Sequence, residues 1–228
     1  MSDRLHQNQP TVIPPPCGSR ASVSVQGGSM SDLEGLVAVL RRAYSGELAA
    51  GLAYRGHWQA VRDPEDRARI RQIEADEWHH RDLVGGLLAR LGSVPSAERE
   101  RRARAIGRTL GFLCQVTGWL APMYGAGRLE RGNIVEYETA ARLAVRAGWP
   151  DFADCLLAMA EVEWEHEQYF RSRVVAHRLT RWLPIWPAPP PRRAIRDSFG
   201  RDTSRAGATT AASLPPPAGH PGPHARHL

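Results

Sequence analysis

The sequence predicts an all-α protein, a four-helix bundle made of two antiparallel hairpins joined by a long, partly helical crossover. Three observations carry that expectation. Apolar residues recur every three or four positions through most of residues 31–182, the period of helices that bury one face. Two turn signals, Asp63-Pro64 and Gly148-Trp149-Pro150, each divide a pair of such segments. Finally, two Glu-x-x-His runs, Glu77-Trp78-His79-His80 and Glu163-Trp164-Glu165-His166, lie inside those segments.

The first helix, over 31–62, steps through Leu36, Leu40, Ala43, Glu47, Ala50 and Tyr54, so Glu47 interrupts an otherwise apolar or small seam. After the Asp63-Pro64 turn, the second helix steps through Ile70, Ile73, Glu77, His80, Val84, Leu87 and Leu91. Glu77 and His80 are one turn apart on the core-facing stripe, close enough to share one metal ion. Asp76 and His79 have the same spacing but sit one position off the seam. At about 1.5 Å rise per residue, folding the chain at the turn brings residues 47 and 80 to one height in an antiparallel pair.

Residues from Gly92 to about Pro122 are enough to run back along the bundle as the crossover. Within them 105–121 is apolar nearly all round, so that a helix there is either packed on the bundle or meets lipid. In the next helix Glu130, Glu136 and Glu138 compete for an inward position. The seam through Glu130 reads Leu120, Met123, Gly127, Glu130, Ile134, Tyr137 and Ala141; that through Glu136 contains Pro122 and Asn133, and that through Glu138 contains Arg131. Reflecting His166 about the Gly148-Trp149-Pro150 turn lands near Glu130, whereas reflecting Glu163 lands nearer Glu136. Glu130 is preferred, with Glu136 as the alternative. The last core helix steps through Phe152, Leu156, Met159, Glu163, His166 and Phe170.

Carboxylates on apolar seams cost several kcal/mol each unless they are paired or bound to metal. A lone Glu on each of two helices, with Glu-x-x-His on each of two others, is the ligand pattern of di-iron and di-manganese carboxylate bundles. The expected metal ligands are therefore Glu47, Glu77, His80, Glu130, Glu163 and His166, and two hairpins with a long connection give the ferritin-like topology. Tyr54 and Tyr137, in the same seams, are positioned to hydrogen-bond ligands or carry electrons, or simply to pack. Trp78 and Trp164 are expected to pack between helices.

Composition divides the chain into a polar N-terminal segment, 1–30, expected to be disordered, a bundle over 31–183, and a Pro/Arg-rich tail, 184–228, too poor in large apolar residues to fold alone. The net charge is +6, but all 30 basic residues are Arg, which points to codon composition rather than a nucleic-acid partner, and no aromatic-plus-basic RNA motif is present. Cys17, Cys114 and Cys155 form neither a zinc pattern nor a disulfide framework, in keeping with a reducing cytoplasm. No secretory signal is visible. Arg and Trp alternate in His177–Trp186 as they do in interfacial segments, so the inner face of the cell membrane is a second candidate location.

With these positions fixed, the chain resembles the demethoxyubiquinone hydroxylase family of ferritin-like di-iron enzymes. Gly46-Glu47, Ala50, Tyr54 and Gly56 match its G-E-x-x-A-x-x-x-Y-x-G run, and Glu77/His80 and Glu163/His166 match its two E-x-x-H pairs. Gly107-Arg108-Thr109-Leu110-Gly111-Phe112 is similar to its Gly-rich membrane-facing segment. Leu129-Glu130, Ile134 and Glu136-Tyr137 fall at the spacing of its third-helix motif, with Glu136 where the family has His. The family's Asp-His-Ala before the first Gly-Glu is replaced by Ala43-Tyr44-Ser45. The resemblance implies two iron ions (manganese being the other candidate), O2, an external reductant and a lipophilic, quinone-like substrate, in a monooxygenase of ubiquinone biosynthesis peripheral to a membrane. It leaves homo-oligomerisation open. Competing classes on the same ligands are a rubrerythrin-like peroxidase, an iron-storage protein and a tRNA-modifying di-iron hydroxylase.

Overall fold

The two turn signals delimit the hairpins. The structure of the protein, a computed structural model, describes residues 29–212, of which 204–212 by backbone alone. The helices are α1 (Met30–Ala60), α2 (Pro64–Arg90), α3 (Ala97–Val116), α4 (Leu120–Arg146), α5 (Asp151–Val175) and α6 (Arg193–Ala212), with a single 3₁₀ turn at Arg178–Trp182. There is no strand among the described residues. Asp63 caps α2, its Oδ1 accepting from the Asp66 amide at 2.9 Å, and Pro64 occupies the first turn, where its missing N–H costs nothing. The α4–α5 turn is closed by Gly148 at φ +82°, which a side chain would resist, with Trp149 N donating to Ala144 O and Gly148 N to Val145 O.

The long helices α1, α2, α4 and α5 form a helical bundle whose interior is layered. One apolar layer gathers Leu36, Leu40, Val84, Leu87, Phe152 and Leu156. A second, toward the opposite end, gathers Tyr54, Ile70, Ile73, Met123, Phe170 and Trp186. In sequence on each of the four helices, Glu47, Glu77 with His80, Glu130, and Glu163 with His166 fall between these two sets.

The crossover is mostly the helix α3, and its two faces differ. Gly107 and Gly111 press against α1, so close that a Cβ on Gly107 would lie 2.5 Å from the Ala49 carbonyl oxygen. The bulky apolar residues Ile106, Phe112 and Val116 are more than half exposed, and Ile106 also lines the slot described below. α3 and α4 both pack on α1 and touch one another little, which leaves a slot between them.

Two expectations are corrected. The tail does not leave the bundle at residue 184. Trp186 is buried, its Nε1 donating to Glu167 Oε1 at 2.7 Å and its ring lying edge-on to Tyr124 in the space left by Gly127. Pro187 O and Pro190 O accept from Arg171 Nη2 and Trp164 Nε1 at 3.0 and 2.8 Å, and α6 then buries Ile195 and pairs Arg196 with Glu161 and Asp154. Composition missed this because a proline-rich strap has little conformational entropy left to lose, so a few anchors suffice. The Arg/Trp segment is accordingly split between a buried Trp186 and an exposed Trp182 and Leu183. Second, Cys155 is disulfide-bonded, while Cys114 is a free, partly buried thiol. The N-terminal segment up to residue 28 and the tail from 213 lie outside the described residues. No helix among the described residues is long and apolar enough to cross a membrane.

The strap gives a direct prediction. Trp186→Ala should lower unfolding free energy by about 3–5 kcal/mol, the usual cost of deleting a buried aromatic. Chemical denaturation checks it, and a loss below about 1 kcal/mol would mean that the strap does not hold the bundle.

Candidate metal centre

Six side chains that are far apart in sequence meet at the middle of the bundle. α1 contributes Glu47, α2 Glu77 and His80, α4 Glu130, and α5 Glu163 and His166, all buried. Their donor atoms fall into two sets: Glu47, Glu77, His80 and Glu163, and Glu77, Glu130, Glu163 and His166. Within each set the atoms lie within 4.8 Å of one another. Nitrogen and oxygen ligands bind such ions at about 2.0–2.2 Å, so opposite donors around one ion stand at about that separation. Glu77 and Glu163 belong to both sets and can bridge two ions.

The donor atoms do not form a closed hydrogen-bond network. Both oxygens of Glu77, Glu47 Oε2, Glu163 Oε1, both nitrogens of His80 and His166 Nδ1 are buried without a hydrogen-bond partner. His80 Nδ1 lies 2.8 Å from Glu163 Oε1, and His166 Nδ1 lies 3.3 Å from Glu77 Oε1. Native proteins rarely leave buried polar atoms unpaired, because each costs about 1–3 kcal/mol. So many in one place fit a bound metal.

Charge repulsion shows in the proton affinities. Burial, then the charge of Glu163, pushes Glu47 above the ordinary carboxylate range. The same causes push Glu77 and Glu130 well above it. For Glu163, burial is outweighed by His166 and His80 beside it, which hold its carboxyl well below that range. Burial lowers the two imidazoles but loses to their acidic neighbours, Glu163 for His80 and first Asp76 for His166, so both are raised.

Around the donors sits a layer that fixes them. Tyr54 OH donates to Glu130 Oε1 and Tyr137 OH to Glu47 Oε1. Burial, then the facing carboxylate, raises both phenols well above their usual value, so they remain donors. Asn133 Nδ2 donates to Glu130 Oε2 at 3.0 Å. Asp76 Oδ2 stands 3.1 Å from His166 Nε2, an arrangement that leaves Nδ1 free to face the cluster and sets the imidazole tautomer. Its own carboxyl is shifted down: burial raises it, but the bond to His166 prevails.

All six expected ligands are thus brought together, with Glu130 in the cluster and Glu136 outside it. Glu136 lies on the wall of the neighbouring slot, where Arg42 Nε contacts both its oxygens at 3.0 Å. Trp78 packs on Gly51 and donates to Glu74 at 3.1 Å. Asp76 and Asn133 escaped the sequence reading. Asp76 is off the apolar seam, yet an aspartate directly before a ligand Glu is rotated by about 100°, far enough to reach the adjacent helix. That Asp-Glu-x-x-His run was the available signal. Asn133 has none, since an asparagine near a seam is unremarkable.

Beside the cluster runs the slot between α1, α3 and α4, a cavity of about 430 Å³ with a mostly apolar lining. Glu47, Tyr54, Glu130 and Tyr137 form part of its wall, so it opens onto the metal-binding residues.

Compared with family models, curated proteins and solved structures, the chain matches none of them. The class of protein that fold and site define is therefore a helical bundle with a buried carboxylate–histidine cluster able to hold metal. A more particular reading rests on chemistry.

Two metal ions should bind per chain, and Glu77→Ala, which removes a shared donor, should lose both. His166→Ala should lose one. Metal analysis after reconstitution checks this, and full content in both variants would reject the cluster. Because burial and neighbouring charge raise the proton affinity of Glu47, Glu77 and Glu130, metal and protons should compete for the site, and metal affinity should fall as pH drops. For folding of the metal-free protein the sign reverses. A raised carboxyl stabilises the fold below its unfolded value of 4.5, and that contribution is lost as pH rises through the folded value.

Proposed function

We propose that the protein is a ferritin-like di-iron oxidoreductase, an O2-dependent monooxygenase that hydroxylates a lipophilic, quinone-like substrate. The observation that carries this reading is the juxtaposition of a two-ion ligand set with an apolar cavity. A storage site needs no 430 Å³ substrate-sized slot beside it. The resemblance to the demethoxyubiquinone hydroxylases supports the quinone-like substrate.

Glu47, Glu77, His80, Glu130, Glu163 and His166 would hold two iron ions. Bound there, iron would supply the electrons and Lewis acidity that dioxygen activation needs, with an external reductant restoring them. The chain's own residues do the rest. Four carboxylates balance the charge of two divalent cations. Tyr54 and Tyr137 hold Glu130 and Glu47 through one oxygen each; Glu47 Oε2 is left without a partner, while Asn133 also donates to Glu130 Oε2. Asp76 orients His166. The slot excludes water from the substrate side, which protects reactive species from side reactions. Arg42 pairs with Glu136 on the slot wall.

Access from a membrane surface is part of the same reading. Ile106, Phe112 and Val116 of α3 and Trp182 and Leu183 beyond α5 expose apolar side chains, with Arg178 and Arg181 nearby in sequence. Apolar residues flanked by arginines suit the interface of an anionic bilayer.

Anaerobic reconstitution with Fe(II), followed by O2 admission, tests the reading. Oxygen uptake should rise severalfold when a quinol is supplied and yield a hydroxylated product. Rapid hydrogen-peroxide turnover with no O2-dependent product would instead identify a rubrerythrin-like peroxidase. In a second measurement, Phe112→Asp with Val116→Asp should cut co-sedimentation with anionic vesicles several-fold at unchanged metal content. Equal sedimentation would remove the membrane from the reading.

A further inference from the structure

Asn133 differs from the other residues around the cluster: it touches two donor carboxylates and also lines the slot. Its Nδ2 donates to Glu130 Oε2 at 3.0 Å and to Glu163 Oε2 at 3.5 Å. Glu130 and Glu163 belong to one donor set, with Glu77 and His166. The same Glu163 oxygen lies 3.6 Å from His166 Nδ1. With Glu130 placed in the cluster, the step from Glu130 to Asn133 equals that from Glu77 to His80 and from Glu163 to His166. Three residues along a helix return to the same face one turn on. So α4 carries an amide where α2 and α5 carry an imidazole.

We infer that Asn133 is a further metal ligand, whose side-chain amide turns over when a divalent cation enters and gives Oδ1 to the ion in place of the N–H it gives to Glu130. Without a cation the amide must face the carboxylates with its NH2, because ionised carboxylates only accept. A cation held by Glu130 and Glu163 reverses that preference, repelling the N–H dipoles and attracting the carbonyl oxygen. The rotation is about a terminal torsion with a broad, roughly two-fold profile, and it puts Oδ1 where Nδ2 now stands. That place suits a ligand. Donors at about 2.0–2.2 Å from one ion, in tetrahedral or octahedral angles, are about 2.8–3.6 Å from one another. The amide end stands 3.0 and 3.5 Å from its two carboxylate oxygens.

Amide carbonyls join carboxylates as neutral oxygen donors to ions such as Mn²⁺. With Asn133 added, the position held by Glu77, Glu130, Glu163 and His166 has a fifth donor, while that held by Glu47, Glu77, His80 and Glu163 keeps four. The Glu47 position is then the more open to an outside ligand. This inference rests on the two-ion reading of the cluster and not on the oxygenase chemistry.

Its test uses metal binding and spectroscopy of the full chain, loaded with Zn(II), which is diamagnetic and takes nitrogen and oxygen ligands. The chain has only two asparagines, Asn8 and Asn133, so isotope-labelled asparagine gives one side-chain signal besides that of Asn8. Zinc should move the Asn133 amide protons upfield, as they leave their carboxylate acceptors, and its Cγ downfield, a readout that needs no variant to fold. In equilibrium dialysis, Asn133→Leu should weaken one of the two zinc ions about tenfold and leave the other unchanged. Asn133→Asp, which keeps the oxygen donor and loses the N–H, should hold both ions at least as tightly as the unaltered chain. Two bound zinc ions with an unmoved Asn133 signal, or a loss in Asn133→Asp equal to that in Asn133→Leu, would reduce Asn133 to a prop for Glu130 and overturn the inference alone. An unaltered chain that binds fewer than two zinc ions would overturn the two-ion reading and this inference together.

Discussion

Concentrating four carboxylates and two imidazoles in a bundle interior is the constraint on which the rest of the structure depends. In bulk water two like charges 4 Å apart repel by about 1 kcal/mol, and several-fold more near a protein's effective dielectric. This repulsion, added to burial, raises the proton affinity of Glu47, Glu77 and Glu130. A bound cation would offset it. The two apolar layers on either side supply the burial that offsets the cost.

The helices divide the labour. α2 and α5 each contribute a Glu-His pair on one face, and α1 and α4 each contribute one Glu and one Tyr. The tyrosines cross between α1 and α4: Tyr54 on α1 bonds Glu130 on α4, and Tyr137 on α4 bonds Glu47 on α1. This reciprocity ties the hairpins together at the level of the donors. It also keeps those two carboxylates on the slot side, where a substrate would approach. The α3 helix completes the slot, its glycines letting it lie flat on α1 while Ile106, Leu110 and Leu113 line the cavity. Had those glycines been alanines, their methyl groups would meet the α1 backbone and the slot would change width.

Strapping the C-terminal segment across α4 and α5 has a structural logic of its own. Glu167 is fully buried on α5, and its carboxylate is satisfied by Trp186 and Arg171. Arg171 of α5 itself supplies the counter-charge, and the strap adds the Trp186 indole donor.

The six donors, the two turns and the helix boundaries were legible in the sequence because each leaves a local periodic trace. A carboxylate on an apolar seam stands out at a spacing of three or four, as Glu47, Glu77 and Glu163 do. Residues whose role depends on which neighbour they face leave no such trace. Asp76 is a surface position by period and becomes a buried partner of His166 only because α5 lies against that side of α2. His57 reads as the polar end of a helix and acquires an unpaired nitrogen only when Phe170 and Tyr54 enclose it. Residues 184–203 have the composition of a disordered tail, yet Trp186 finds the gap that Gly127 leaves. Periodicity reports what a residue does to its own helix; burial by another element, and hence which polar atoms need a partner, is decided only when the elements pack.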